Sequence, residues 1–222
     1  MVKRLDEALG RLRDALKSLR LSDDTIILFT SDHGCHFKTR NSEYKRSCHE
    51  SSIRVPMAFC GPGFDGGGQM RELVSLVDMP PTLLDAANLP VPLHMQGQSL
   101  MPLLRRQPVA WPDDIFVQIS EDQLGRAVRS HRWKYAIYAP DKDPANDAAS
   151  DHYVEEFLYD LQYDPYEQRN LIGYESHRAV ADKMRARLVR HMQEAGEAAP
   201  VILPAPPIPS GQRRVEAEEL EQ

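Results

Sequence analysis

Thr25-Ile26-Ile27-Leu28-Phe29-Thr30, followed at once by Ser31-Asp32-His33-Gly34, is the stretch on which the reading of this chain turns. The first six residues are short, apolar and rich in β-branched side chains, the pattern of a strand buried on both faces. Upstream, Leu5, Leu9, Leu12, Leu16 and Leu19 recur at three- and four-residue intervals. They therefore line one face of an amphipathic helix, with Lys3, Arg11, Asp14 and Lys17 outside the stripe. A helix that passes through Ser22-Asp23-Asp24 into a buried strand points to an α/β fold, with this strand in a mixed, mainly parallel sheet flanked by helices.

Downstream, Ile53–Phe59 reads as a second strand that runs into the turn Gly61-Pro62-Gly63 and Gly66-Gly67-Gly68. Leu73–Val77 reads as a further strand or strand entry. Asp78 is placed to cap a helix through Leu83, Leu84 and Ala87, with Pro80 and Pro81 tolerated in its first turn. From Ile115 the character changes. Ile115–Ser120, Ala127–Ser130, Trp133–Tyr138 and Glu156–Asp160 are short strands between polar turns, as in a small antiparallel sheet. Val180, Met184, Leu188 and Met192, at intervals of four, mark a C-terminal helix covering one face of it. The expected organisation is an α/β core over 1–110, an antiparallel α+β subdomain over 111–197, and a Pro-rich, acidic tail over 198–222.

Composition excludes several classes. Asp and Glu outnumber Lys and Arg by 33 to 27, for a net charge of -6, so no polyanion-attracting field is present and nucleic acid is not the expected partner. No apolar stretch approaches the ~20 residues that span a bilayer. Met1–Gly10 reads as helix rather than signal peptide, and nothing here fixes a cellular location. Cys35, Cys48 and Cys60 show no C-x-x-C pairing and read as three free thiols in or near a core.

Chemistry concentrates beyond the 25–30 strand. Side chains that leave a strand at its carboxyl end can converge on a ligand. Asp32 offers an anionic oxygen and His33 an imidazole nitrogen, while Gly34 permits a sharp turn. Two adjacent donors do not saturate a metal, so further ligands must come from elsewhere. Lys45, His49, Glu50 and Arg54 then group a cation, an imidazole, a carboxylate and a guanidinium just before the next strand, a composition suited to an anionic ester and equally to a solvated charged loop. His36, His94, His131, His152, His177 and His191 are scattered and read as surface or core histidines.

Four motifs in register make the chain resemble the sulfatases of the alkaline phosphatase superfamily: Ser31-Asp32-His33-Gly34; Lys45-x3-His49-Glu50-x2-Ile53-Arg54-x-Pro56; Gly61-Pro62-Gly63; and Leu76-Val77-Asp78-Met79-Pro80-Pro81-Thr82-Leu83-Leu84-Asp85. The similarity continues through Gly97-x-Ser99-Leu100-x-Pro102-Leu103-Leu104, Trp133-Lys134-Tyr135 and Leu158-Tyr159-Asp160-Leu161-x2-Asp164-Pro165-x-Glu167-x2-Asn170-Leu171. It extends from Leu5 to about Met192.

The resemblance implies that Asp32 and His33 are metal ligands and that Lys45 contacts the sulfate and the leaving-group oxygen. His49, where the family has Tyr, is carried with Lys45 as a candidate catalytic residue; Glu50 and Arg54 are supporting candidates. It implies Ca2+ as the metal, with Mn2+ or Zn2+ as alternatives that also suit a nitrogen donor.

The nucleophile of such an enzyme is a formylglycine made from the first residue of C-x-P-x-R or S-x-P-x-R, and no such motif is encoded in these 222 residues. The expected reading is the C-terminal portion of a sulfuric ester hydrolase, inactive alone, that meets a sulfate ester when an N-terminal half completes the site. Two rivals stand beside it. One is a phosphonate monoester or phosphodiester hydrolase on the same scaffold. The other is a non-catalytic remnant acting as a binding module, for which an uncovered apolar sheet edge predicts self-association.

Overall fold

A computed structural model of the chain describes residues 1–64 and 66–209. Contacts divide it into two compact units. The first is formed by Met1–Gly34 and Arg54–Asp113, the second by Cys35–Ile53 together with the chain from Asp114 onward. The 35–53 segment thus departs from the unit that holds its sequence neighbours.

In the first unit, helix α1 (Val2–Ser18) leads through a 3-10 turn at Ser22–Asp24 into strand β1 (Ile27–Thr30). Strand β2 (Met57–Cys60) pairs with β1 antiparallel, with Ile27 opposite Cys60 and Thr30 opposite Met57. The mixed α/β class expected from the sequence is observed, while these two strands, joined without a long crossover helix, run in opposite directions. The α1 stripe is the expected one, yet no residue of the helix is buried: Leu5, Leu12 and Leu19 are exposed, and Leu9 and Leu16 half-buried.

The segment read as a strand or strand entry at Leu73–Val77 is instead a loop that closes in a 3-10 turn at Leu76–Asp78. Its apolar residues suggested a strand, but Asp78 captures the backbone amides. The Asp78 carboxylate accepts hydrogen bonds from Ser75 N at 2.8 Å and Gln98 N at 2.8 Å. It therefore fastens the start of helix α3 (Met79–Ala86) rather than capping that helix through its own side chain.

The two motif phrases around 76–85 and 97–104 meet here. Thr82 Oγ1 donates to Asp78 O and accepts from Leu100 N, while Ser99 Oγ donates to Asp85 Oδ2 at 2.6 Å, just before the short helix α4 (Met101–Leu104). Gly97 is required by the same contact, because a Cβ there would lie 1.9 Å from the Val77 carbonyl oxygen. Gly97→Ala is expected to destabilise this unit by about 1–3 kcal/mol, the usual cost of forcing atoms into a packed contact. Urea unfolding followed by Trp111 fluorescence checks it, and an unchanged midpoint would refute the contact's importance.

In the second unit, β3 (Asp114–Glu121), β4 (Gln123–Ser130), β5 (Trp133–Ala139) and β6 (His152–Asp160) form an antiparallel meander. A fifth strand, β7 (Val201–Leu203), joins β6 in parallel. The sequence reading left Ala198 onward as a tail; Val201–Leu203 instead completes the sheet edge, and Ile202 is buried in the core. The acidic end of the tail, 210–222, lies outside the described residues.

Helix α5 (Arg178–Glu194) packs Ala181, Met184, Leu188 and Met192 against Val128, Tyr135 and Leu158 on one face of this sheet. Strand residues alternate between faces, so Ala127, Ala136, Phe157 and Tyr159 form a second cluster on the other face, closed by Cys48 from the 35–53 segment. At the start of β3, the buried Asp114 carboxylate receives Arg187 Nη1 at 2.9 Å, Arg190 Nη2 at 3.2 Å and His191 Nε2 at 2.6 Å, which fixes α5 to the sheet. Among the described residues, no helix is long and apolar enough to cross a membrane.

Candidate functional site

Asp32 and His33 follow β1 by two and three residues, at the strand's carboxyl end. The Asp32 side chain is 83% exposed, with Oδ2 3.5 Å from His33 Nε2. Asp32 Oδ1 accepts from His33 N at 2.9 Å and from Ser31 Oγ at 3.3 Å, and His33 Nδ1 lies 2.7 Å from Gly34 O. The His33 amide holds the Asp32 carboxyl below the usual carboxylate range against the opposing desolvation, helped by the His33 ring and the Ser31 hydroxyl. One oxygen and one imidazole nitrogen are thus side by side. Among the described residues no group of three or more His, Cys, Asp or Glu is assembled around a common point. The donor pair suits a divalent cation but supplies only part of its shell.

Lys45, His49 and Glu50 belong to the second unit, and Arg54, just before β2, belongs to the first. Lys45 is half-buried, its Nζ 5.8 Å from the centre of the Tyr44 ring. The backbone around it is tied down closely. His36 N donates to Tyr44 O at 2.7 Å, Ser47 N to Lys45 O at 2.9 Å, and Asn41 Nδ2 to Arg46 O at 2.8 Å. Arg46 Nε reaches Glu121 Oε2 at 2.9 Å.

His49 is buried against Phe157 and Tyr159, with ring centroids 4.7 and 5.7 Å away and Nε2 3.4 Å from the Tyr159 hydroxyl. Burial, reinforced by the charges of Arg40 and Lys134, pushes its pKa down to about 3. The imidazole is therefore neutral across the ordinary pH range.

Glu50, at the start of the single-turn helix α2 (Glu50–Ile53), faces an ionic cluster on the sheet. Its carboxylate lies 3.3 Å from Lys134 Nζ and 3.4 Å from Arg129 Nη2, and its amide donates to Glu167 Oε2 at 2.8 Å. Lys134 also pairs with Glu167, and both of these side chains are buried. Burial pushes the Glu50 carboxyl up, but Lys134 and Arg129 outweigh it and hold the group below its ordinary value.

Sequence reasoning singled out neither Lys134 nor Glu167 as anything but motif letters, and it set His36 among scattered histidines. The signal was a lysine near the start of the otherwise apolar strand Trp133–Ala139, where it is buried. His36 is 2% exposed, and neither ring nitrogen has a hydrogen-bond partner.

The remaining phrase, Asp164-Pro165-x-Glu167-x2-Asn170, is architectural. Asn170 Oδ1 accepts from Leu158 N and Ile172 N, Nδ2 donates to Glu156 O, and Asp164 Oδ2 accepts from Arg169 N.

An Asp-His pair beyond a strand, a lysine-bearing segment seated on a small sheet, and these interlocking phrases define the C-terminal domain of a sulfatase-type hydrolase. Residues 42–194 match the family model for the N-sulphoglucosamine sulphohydrolase C-terminal domain, and the chain belongs to that family. Arylsulfatase K of Gallus gallus is 36% identical over 181 residues, covering 77% of this chain and 32% of the relative. Arylsulfatase K of Rattus norvegicus is 34% identical, covering 77% and 30%. The chain thus spans about a third of the length of the curated relatives it matches. A solved protein in complex with its substrate D-glucosamine-2-N,6-O-disulfate superposes with a TM-score of 0.70 at 25% identity, covering 88% of this chain and 39% of that one. A phosphonate monoester hydrolase from Silicibacter pomeroyi shares the fold, with a TM-score of 0.69 at 23% identity, covering 85% and 38%.

Proposed function

We propose that this chain contributes residues to a sulfuric ester hydrolase site, with Asp32 and His33 as two ligands of a divalent cation and Lys45 as the contact to the sulfate. The observation that carries the reading is the exposed Asp32 carboxylate beside His33 at the end of β1, within a chain of the sulfatase family. When bound, such a cation would supply a fixed positive charge to the sulfate oxygens. Lys45 would add a second, anchored by the hydrogen bonds on either side of it; preorganised charge of this kind is usually the largest catalytic contribution. His49, neutral and packed on Phe157 and Tyr159, would shape the segment and exchange a hydrogen bond rather than carry charge. Arg54 would act as support for the start of β2.

Ca2+ is the cation to test first, with Mn2+ and Zn2+ as competitors. The disulfated glucosamine of one relative, with the family's name, makes a sulfated amino sugar the first substrate to try after a simple aryl sulfate. Lacking C-x-P-x-R and S-x-P-x-R, the chain should turn over neither by itself. Mixed with a polypeptide that carries the formylglycine and the other ligands, it should restore hydrolysis. In that mixture Lys45→Ala should lower kcat/KM by about 10²–10³, the loss typical of one preorganised donor. In calorimetric titrations Asp32→Ala should weaken cation binding by more than about tenfold, the smallest loss usual even for groups behind the ligands. Preference of the completed enzyme for phosphonate monoesters would favour the phosphonate hydrolase reading instead, and indifference to Lys45→Ala would remove the assigned role.

A further inference from the structure

Arg129 and Lys134 stand directly opposite each other on neighbouring strands β4 and β5. Two like charges at such a position repel, and here one of them, Lys134, has no exposed side-chain surface at all. The sheet therefore presents a pair of cations that cannot remain buried without anions. Two carboxylates answer them. Glu167 comes from the turn after β6 and pairs with Lys134. Glu50 comes from the 35–53 segment, between Arg129 and Lys134, and its own amide closes onto Glu167.

Ten residues before Glu50, Arg40 makes a second attachment to the same turn, donating from Nη1 to Glu167 O at 2.7 Å and from Nη2 to Tyr166 O at 2.5 Å. Lys45 lies between these two anchors, and His49 and Cys48 fill the apolar surface beneath. A segment of this length with only the four-residue helix α2 as regular structure has no ladder of its own to hold it, so its conformation is set by what it docks onto.

We propose that Lys134, Glu50 and Glu167 form an ionic latch whose role is to position Lys45: the five-stranded sheet, rather than the unit that carries Asp32 and His33, dictates where the sulfate-contacting ammonium sits. The latch residues touch no substrate and act through the 35–53 segment, so they are positioning residues. The role of Lys45 that they serve rests on the sulfatase reading above; the latch itself does not. The charges balance as two cations and two anions, and removing Lys134 with Glu167 leaves the Glu50–Arg129 pair intact. That makes a variant available that opens the latch without stranding a charge.

The test uses the whole 222-residue chain as Lys134→Met/Glu167→Gln, with Glu50→Gln, which keeps Glu167 on Lys134, as a second variant in case the first fails to fold. Folding of the sheet is followed by Trp133 fluorescence. Segment docking is followed by trypsin cleavage at Lys38, Arg40, Lys45 and Arg46, and Lys45 by the NMR shift of its side chain on titration with inorganic sulfate. With the sheet folded, cleavage within the segment should accelerate more than about tenfold, as expected when a docked segment opens locally, and the sulfate response of Lys45 should weaken in parallel. Lys45→Gln should abolish the sulfate response without accelerating cleavage elsewhere in the segment.

Wild-type cleavage rates in a folded variant would overturn the latch. Accelerated cleavage with an unchanged sulfate response would reduce it to a structural pair and overturn the positioning role. If wild-type Lys45 does not respond to sulfate, the sulfate assignment fails and the positioning claim falls with it, while the cleavage rates still decide whether the latch holds the segment.

Discussion

Lys134→Met should lower the unfolding free energy of the five-stranded unit by about 3–5 kcal/mol, the cost typical of stripping one partner from a buried ion pair. The mutant keeps the volume of the side chain and its contact with Phe157, so cavity formation contributes little. What remains is Glu167, a buried carboxylate now without its cation, and Glu50, left with Arg129 alone. Adding Glu167→Gln should return most of the loss, because the pair is then removed as a unit. Guanidinium unfolding of the wild type, both single variants and the double variant measures the coupling directly. If the two losses simply add, Lys134 and Glu167 are not acting on each other.

Glu156→Gln should do the opposite, making the protein more stable at pH 8 while changing little at pH 4. Glu156 sits at the irregularity in β6, where pairing steps from Glu155 opposite Ile137 to Phe157 opposite Ala136 and leaves it without a strand partner. Gln123 Nε2 lies 3.4 Å from its carboxylate, and burial pushes its pKa up to about 7 from 4.5, against that weak opposing hydrogen bond.

Because the folded pKa is the higher one, the unfolded chain releases this proton first. Stability should therefore fall as pH rises from about 4.5 to about 7 and level off above, by at most about 3 kcal/mol and less to the extent that water reaches the group. Glu50 runs the other way. Its folded pKa is depressed, so its contribution is present above the ordinary carboxylate range and fades as pH drops below it. Thermal melts across pH 4–9 separate the two, and a Glu156→Gln variant with the wild-type slope would sink the assignment.

Local signals made much of this legible. Helix α5 announced itself through Met184, Leu188 and Met192 at one spacing, all of them buried. The four antiparallel strands followed from alternation and turns. The Asp32-His33 pair was visible because both donors are adjacent in sequence. What escaped was set by partners far along the chain. Strand β7 hides in a Pro-rich stretch because its partner, β6, lies nearly fifty residues earlier, with His152 opposite Val201. The Leu73–Val77 segment has a strand's composition, but Asp78 takes the Ser75 amide and Trp111 Nε1 takes the Leu73 carbonyl. Glu50 read as part of a charged group with Lys45, whereas its counter-ion Lys134 is 84 residues away. Local composition could show that a carboxylate was present but not which cation it would meet.

The excursion of Cys35–Ile53 into the second unit also bears on how the chain reaches its native state. Glu50 meets Glu167 across 117 residues and Arg40 meets it across 127, so the turn after β6 must exist before either contact can close. Contacts of such long sequence separation slow folding, because loop-closure entropy is lost before they form. An early collapse of the meander and α5, built from neighbouring segments, would leave Lys134 and the Phe157 surface waiting for a strip of chain synthesised well before them. No single cut separates the units: a polypeptide beginning at Asp114 would carry a cationic sheet face with a bare apolar floor, so dissection of this protein requires a circularly permuted or grafted 35–53 segment rather than a truncation.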